Sequence, residues 1–426
     1  MSSNGNTLFK GLLLFCAYQQ GVWLVRNYKI NSVVASVIIS TLVPTLSAFS
    51  AVHKVTPVAF SIKVSGSHFV NGAGQTVRLV GVGGLGTESA CIDGTGYTST
   101  PLNDATVSAI SAWHANVVRI GLNEDCWLGL NAQPAFGTPQ GYRHAIMDFV
   151  QKLSQARIYA ILSLQISAPD ALVSTSQMSM PDAHSIVFWS SVANAFKANP
   201  AVIFDVFSEP YSPDQLWANS PGVPWSCWLA GGCQVPVLTP SQSYTRTPPM
   251  YVSVGLERLV WAIRWAGGKQ PIMLAGLNFA NDLSGVSSNA PFDFLQPAQL
   301  AMSFHTYQGE SCVTATCWNN TVAPLAKKMP VVAAEFGEAA YCASPTSAPT
   351  TSSGFDKSFM TWSDAHGTSY LASGWVVNGH APSCSGRPSQ SSGFGLINDL
   401  SGTPTSPDGQ VLKDHLTVLR NSNALH

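Results

Sequence analysis

The chain has 426 residues, 10% of them charged, with a formal net charge of −1 at pH 7. No excess of Lys and Arg is available to form the basic stripe of a nucleic-acid binder. With so few charges, Ser, Thr, Asn, Gln and Gly must carry the surface, which fits a secreted protein handling neutral polymers.

The N-terminus is apolar in two stretches. Leu8–Val25 is interrupted by Lys10, Gln19 and Gln20, whereas Ser32–Val52 is uncharged, follows Arg26 and Lys29, and reaches the small-residue end Ala48-Phe49-Ser50. The second stretch reads as a secretory signal cleaved after Ser50. Its length would also span a bilayer if it were retained as an anchor. Residues 1–50 are therefore expected to be a signal peptide or membrane anchor, and 51–426 the folded domain.

Ser61–Val70 and Gln75–Val82 flank Asn71-Gly-Ala-Gly74 and predict a β-hairpin. Short β-branched runs then follow at Arg78–Gly83, Val117–Leu122, Tyr159–Gln165, Ala201–Phe207, Pro271–Ala275, Leu300–His305, Met329–Ala334 and Tyr370–Trp375. Helical patterns lie between them. Asn103/Asp104 would cap a helix to Trp113, Tyr142–Ala156 has helical apolar spacing, and Asp182 would cap Ala183–Ala198. Met250–Gly267, Phe355–His366 and Gln410–Arg420 complete the series. This alternation predicts an α/β fold, a (β/α)8 TIM barrel with an N-terminal β-hairpin and extended active-face loops. A doubly wound open sheet is the competing arrangement. No Gly-x-Gly-x-x-Gly opens a helix after a strand, which argues against a dinucleotide-binding version.

Eight cysteines follow the leader, and an even number points to disulfides in an oxidising compartment. The expected pairs are Cys91–Cys126, Cys227–Cys233, Cys312–Cys317 and Cys342–Cys384. No Cys-x-x-Cys occurs, and no His stands at ligand spacing from a cysteine, so zinc held by cysteines is disfavoured.

Two strand runs end on glutamate. Ala-Val-Ile-Phe-Asp-Val-Phe (201–207) runs into Ser208-Glu209-Pro210, and Met329–Ala334 into Glu335-Phe336-Gly337-Glu338. In a parallel barrel, C-terminal strand ends converge on one site. Two facing carboxylates there are what glycosidic hydrolysis needs: one protonates the leaving oxygen, and the other attacks or activates water. Glu124, Asp125 and Glu338 are nearby acids outside this pair. Asp125 reads as loop structure beside Cys126, and Glu338 as lying past the barrel mouth. The Tyr211–Pro249 insertion carries Trp217, Trp225, Trp228 and Tyr244, which would either stack on sugar rings or pack the loop against the barrel. Ser344–Gly354 reads as a flexible loop.

These residues resemble glycoside hydrolase family 5, the cellulase family, in its secreted, actinobacterial-type form. The likeness runs through Thr76–Val82, Asn116–Arg119, Phe207–Pro210, Ser303–Tyr307, Ala334–Gly337 and Gly374-Trp375 to Ile397–Thr405 and Lys413–His415. It implies Glu209 as acid/base, Glu335 as nucleophile, and Arg119 as the arginine that holds the nucleophile. It further implies that Tyr307 contacts the nucleophile, His305 lies near the acid/base, and Trp375 floors the cleavage subsite. Two positions depart from the family: Ser208 stands where it has Asn, and Gln165 where it has His. The implied activity is retaining β-glycoside hydrolysis, most simply endo-β-1,4-glucanase action on a β-linked oligo- or polysaccharide. A mannanase, another β-glycosidase and a carbohydrate-binding protein with impaired catalysis are the alternatives. No metal or organic cofactor is implied. A secreted monomer is expected, with membrane contact only through a retained N-terminal segment.

Overall fold

The computed structural model describes residues 60–217, 219–238, 248–338, 353–377 and 395–422. The expected leader, Cys342–Cys384, Tyr244 and nearly all of the 344–354 loop lie outside them. The contact pattern divides the chain into Met1–Thr56 and Pro57–His426, and all the described residues belong to the second unit.

The chain opens with three antiparallel strands, β1 (Ile62–Ser65), β2 (His68–Asn71) and β3 (Thr76–Val77). This differs from the expected single hairpin. Gly66 has φ +60°, a left-handed conformation that folds Ser61–Val70 back on itself before the Asn71–Gly74 turn. Strands β4 (Val80–Gly83), β5 (Val117–Asn123), β6 (Tyr159–Ile166) and β7 (Val202–Asp205) follow. A short antiparallel pair, β8 (Gly231–Pro236) and β9 (Met250–Val254), precedes β10 (Ile272–Ala275), β11 (Leu300–Tyr307), β12 (Val331–Gly337) and β13 (Ser369–Ser373). Strands β4–β7 and β10–β13 close one parallel barrel, with β13 pairing β4 and β7 pairing β10. All eight predicted barrel strands are present, in order.

The helices are α1 (Asp104–Ala112), α2 (Glu124–Leu128), α3 (Pro139–Gln155), α4 (Ala183–Phe196), α5 (Trp225–Ala230), α6 (Leu256–Trp265), α7 (Ala315–Ala326), α8 (Gly354–His366) and α9 (Asp408–Asn421). The predicted caps act as such. Asn103 accepts from Thr106 N and Asp182 from His184 N, each satisfying an orphan N–H of the first turn. Met250–Gly267 is not one helix. Its first five residues alternate exposed and buried as β9, and the helix starts only after Gly255. Asp125 lies in the first turn of α2 rather than in a loop.

Alternate residues of each barrel strand face inward. At the N-terminal end these are Leu79, Val117, Ile161, Ile203, Met273, Ala301, Val332 and Leu371, packed with Ile62, Val64 and Phe69 of the opening sheet. The opening sheet thus closes the barrel bottom with apolar contact, while Ile62 N donates to Pro200 O and Val64 N to Gln299 Oε1. The opposite faces of the strands join a larger core with the helices. Gly81 is required by close approach, because a Cβ there would lie 1.9 Å from Val117 O.

Three disulfides are formed: Cys91–Cys126, Cys227–Cys233 and Cys312–Cys317, with Cα–Cα distances of 6.4, 5.9 and 5.4 Å. Among the described residues no helix is long and apolar enough to cross a membrane.

Candidate active site

The inward-facing positions become polar toward the C-terminal end of the barrel. Arg119 on β5, Ser163 and Gln165 on β6, and Asp205 on β7 form one layer there. Arg119 is 2% exposed, and its guanidinium meets five acceptors. Nε donates to Asp205 Oδ2 at 2.9 Å. Nη1 donates to Gln165 Oε1 at 3.1 Å and Glu335 Oε1 at 2.5 Å. Nη2 donates to Ser163 Oγ and Ser208 Oγ, both at 2.8 Å. An arginine has five N–H groups, so its donor capacity is matched. Burial alone would lower its pKa, but Asp205 and Glu335 reverse this and raise it, so the cation is permanent.

Glu335 reaches the interior through an irregularity. Pairing between β11 and β12 runs in step to Phe304↔Ala333 and then resumes at His305↔Glu335, leaving Ala334 as an extra residue. Strict alternation would turn Glu335 outward after Ala334, but the bulge re-aims it. Phe336 correspondingly packs in the outer core. The Glu335 carboxylate accepts from Arg119 through Oε1 and from the Tyr307 hydroxyl through Oε2 at 2.5 Å. Burial opposes its ionisation, but His305, Arg119 and Tyr307 outweigh that and hold it down to about 2.

Glu209 follows β7 on a turn anchored by Ser208 N donating to Leu164 O at 2.9 Å and Gln177 Nε2 donating to Glu209 O at 2.6 Å. Its side chain is 17% exposed, at the mouth. His305 Nδ1 lies 2.8 Å from Glu209 Oε1 and 4.0 Å from Glu335 Oε2. Burial would lower the His305 pKa, but the two carboxylates raise it instead. His305 thus stands between the two carboxylates, hydrogen-bonded to Glu209 and beside an ionised Glu335.

The structure thus brings together Glu209, Glu335, Arg119, Gln165, Ser208, His305 and Tyr307. Ser208 is 1% exposed and turned toward Arg119, so its hydroxyl does not face the open mouth. Trp375 is a correction. It is 1% exposed and packs edge-to-face on Trp113 at 4.8 Å, with Gly402 against its ring. It belongs to the outer layer, and a ring covered in this way cannot floor a subsite. Ser373 points inward instead and hydrogen-bonds Tyr307. In the Tyr211–Pro249 insertion, Trp228 is fully buried and donates to Ala275 O, while Trp225 packs edge-on against it and lies over Gly285. These two rings pack the loop. Glu338 groups with Asp356 and Asp408 rather than with Glu209 and Glu335.

Four polar residues of the site were not predicted. Asp205 and Ser163 had a sequence signal, since each interrupts the inward-facing apolar positions of a predicted strand. Glu88 and Glu310 lie in loops and had none. A Cβ on Gly121 would lie 2.9 Å from Glu88 Oε2, which places that carboxyl over β5, and burial raises its pKa. Glu310 accepts from Tyr307 N at 2.9 Å, and burial beside Glu209 pushes it up to about 8.

The sequence profile of Cellulase (glycosyl hydrolase family 5) matches residues 71–380. The fold is similar to that of a β-glucanase from Saccharophagus degradans solved with cellotetraose, at 18% identity and TM-score 0.58, covering 85% of this chain and 94% of that one. It is also similar to the catalytic domain of an endoglucanase from Thermobifida fusca, at 15% identity and TM-score 0.54, covering 84% and 97%. No curated protein matches the sequence. With a profile match over most of its length and a closed eight-stranded barrel, the chain belongs to the cellulase family, glycosyl hydrolase family 5, and is a glycoside hydrolase.

Proposed function

We propose that the protein is a secreted, retaining endo-β-1,4-glucanase in which Glu335 is the nucleophile and Glu209 the acid/base. The observation that carries this reading is the proximity of the two carboxyls. One oxygen of each lies, with a His305 nitrogen, in a group whose members are all within 4.8 Å of one another. Inverting enzymes keep their carboxyls about 6.5–9.5 Å apart to admit a water, and retaining enzymes about 5–5.5 Å.

The ionisation of Glu335 supports the same assignment. Glu335 is ionised and aligned by Arg119 and Tyr307, as attack on the anomeric carbon requires. Glu209 gives its proton to the leaving oxygen as the glycosyl–Glu335 ester forms. It then takes a proton from the water that cleaves the ester, which restores the β configuration. His305 serves as its proton partner. The glucan reading draws on the neighbouring β-glucanase, which was solved with cellotetraose. The three disulfides support an oxidising, extracellular destination.

The test is a screen of β-glucans, mannan and aryl β-glycosides, with Glu335→Gln as the control. The expected result is activity on β-1,4-glucan, β-anomer as the first product by NMR, and labelling of Glu335 by a 2-fluoro glycoside. α-Anomer as the first product would overturn the mechanism, and activity confined to mannan would overturn the substrate.

A further inference from the structure

A second cluster of ionisable groups lies away from the catalytic pair, where α2 meets α4. Glu124 opens α2 and is 0% exposed; Asp182 caps α4 and is 2% exposed; His184 stands in the first turn of α4 with its side chain 31% exposed. One ligand atom of each lies within 4.8 Å of the others. One oxygen of each carboxylate is engaged. Glu124 Oε1 accepts from Ser185 Oγ at 2.8 Å, and Asp182 Oδ1 accepts from His184 N at 2.7 Å. The remaining atoms, Glu124 Oε2, Asp182 Oδ2 and His184 Nδ1, are buried without a hydrogen-bond partner, and His184 Nδ1 lies 3.6 Å from Asp182 Oδ1.

The charge balance there is one-sided. Asp125, also 0% exposed, adds a third carboxylate whose Oδ1 is unpartnered, while its Oδ2 accepts from Asn131 Nδ2 and Ser174 N. Among the described residues no Lys or Arg forms an ion pair with any of the three. Buried acceptors with no donor are costly, and buried anions with no cation more so. The N-terminus of α4 offsets only part of this.

We infer that Glu124, Asp182 and His184 form a binding site for a divalent first-row transition ion that ties α2 to α4. Two carboxylate oxygens and an imidazole nitrogen suit Zn2+ or Mn2+ better than Ca2+, whose ligands are almost all oxygen. Asp182 and His184 also line an open cleft of about 350 Å³ with Pro169, Gln234 and Tyr251, which offers an entry path and room for water ligands. The rival occupant is a proton. Burial raises both Glu124 and Asp182, and the two carboxyls are close enough to share one. A metal would displace it, so uptake should release protons and strengthen with pH.

The experiment uses the full folded enzyme stripped with a chelator, then given Zn2+ or Mn2+. Elemental analysis, Mn2+ spin resonance and melting temperature are read in the wild type, Glu335→Gln, His184→Ala and Glu124→Gln. Glu335→Gln controls for ions at Glu209, His305 and Glu335, whose ligand atoms are also clustered. His184 is half-exposed, and Glu124→Gln is isosteric, so at least one of these variants should fold. The inference expects one ion per chain in the wild type and Glu335→Gln, with a raised melting temperature. It expects affinity to fall by at least about tenfold in His184→Ala and Glu124→Gln. It is overturned if the wild type takes up no ion and its melting temperature does not move, as a shared proton would give. It is overturned equally if uptake survives in both cluster variants or is lost only in Glu335→Gln.

Discussion

The five acceptors around Arg119 make Arg119→Lys the most informative substitution. Lysine keeps the charge but has three donors. At least two of Asp205, Glu335, Ser163, Ser208 and Gln165 must then lose their bond to residue 119. All are buried or nearly so, and each buried acceptor left unpaired costs about 1–3 kcal/mol, or about 2–6 kcal/mol for two. Part of this falls on folding and part on the placement of Glu335. With each 1.4 kcal/mol a tenfold step, kcat/KM on a β-glucan should fall by about 10²-fold or more. Because the cation remains, the acid limb of the pH–rate profile should stay in place. Arg119→Met removes the cation too, and there the acid limb should move up as Glu335 loses part of what holds it ionised. The assay is kcat/KM from pH 3 to 9 for both variants, with thermal melts. If Arg119→Lys retains activity within about threefold of the wild type, the bond count around the guanidinium is irrelevant and the argument fails.

The other predictions test smaller parts. Ser208→Asn puts a larger amide into a buried position already bonded to Arg119, so it should lower kcat/KM; the Gln165→His and double-variant kinetics should be non-additive, because both residues bond the same guanidinium. Additive effects would refute that coupling. Glu310 has a folded pKa near 8 against an ordinary value of about 4.3. The folded state therefore binds its proton more tightly than the unfolded chain does. Its stabilising contribution is full below about pH 4 and lost as pH rises to about 8. Glu310→Gln should flatten the decline in melting temperature over that range, and an unchanged slope would refute it. Replacing Cys91 and Cys126 by Ser opens a loop with a sequence separation of 35, against 6 for Cys227 and Cys233. The first change should cost about 3–4 kcal/mol and the second about 2 in chemical denaturation. The reverse order would count against the chain-entropy reasoning.

Much of this was legible in the sequence because a barrel strand buried on both faces leaves a β-branched run with polar ends. Such runs located all eight strands, and the glutamates and His305 stood at or near their C-terminal ends, whereas Arg119 is the third residue of β5 and reaches the site by its length. What was missed depends on geometry that no local pattern records. Trp375 follows an inward-facing Ser373, yet the chain turns its ring into the helix layer against Trp113. Met250–Val254 runs straight into the pattern of the following helix but pairs with Gly231–Pro236, a partner that only tertiary structure supplies. Glu88 and Glu310 come to the site from loops. Ser208 and Gln165 stand in the sequence as two unconnected departures from the family, whereas Arg119 binds both.

The extra residue in β12 has a consequence for how this enzyme can change. Regular pairing that set Ala334 opposite His305 would let the strand run beside β11 without interruption, a more regular sheet by every backbone criterion. It would also rotate residue 335 to the opposite face, so the carboxylate would enter the apolar layer occupied by Phe336 and Phe359, out of reach of Arg119. Here a more orderly strand would be an inactive one. Drift toward regular pairing at this point should be removed by selection for activity even where it favours stability, and the flaw in the ladder should outlast many of the side chains around it.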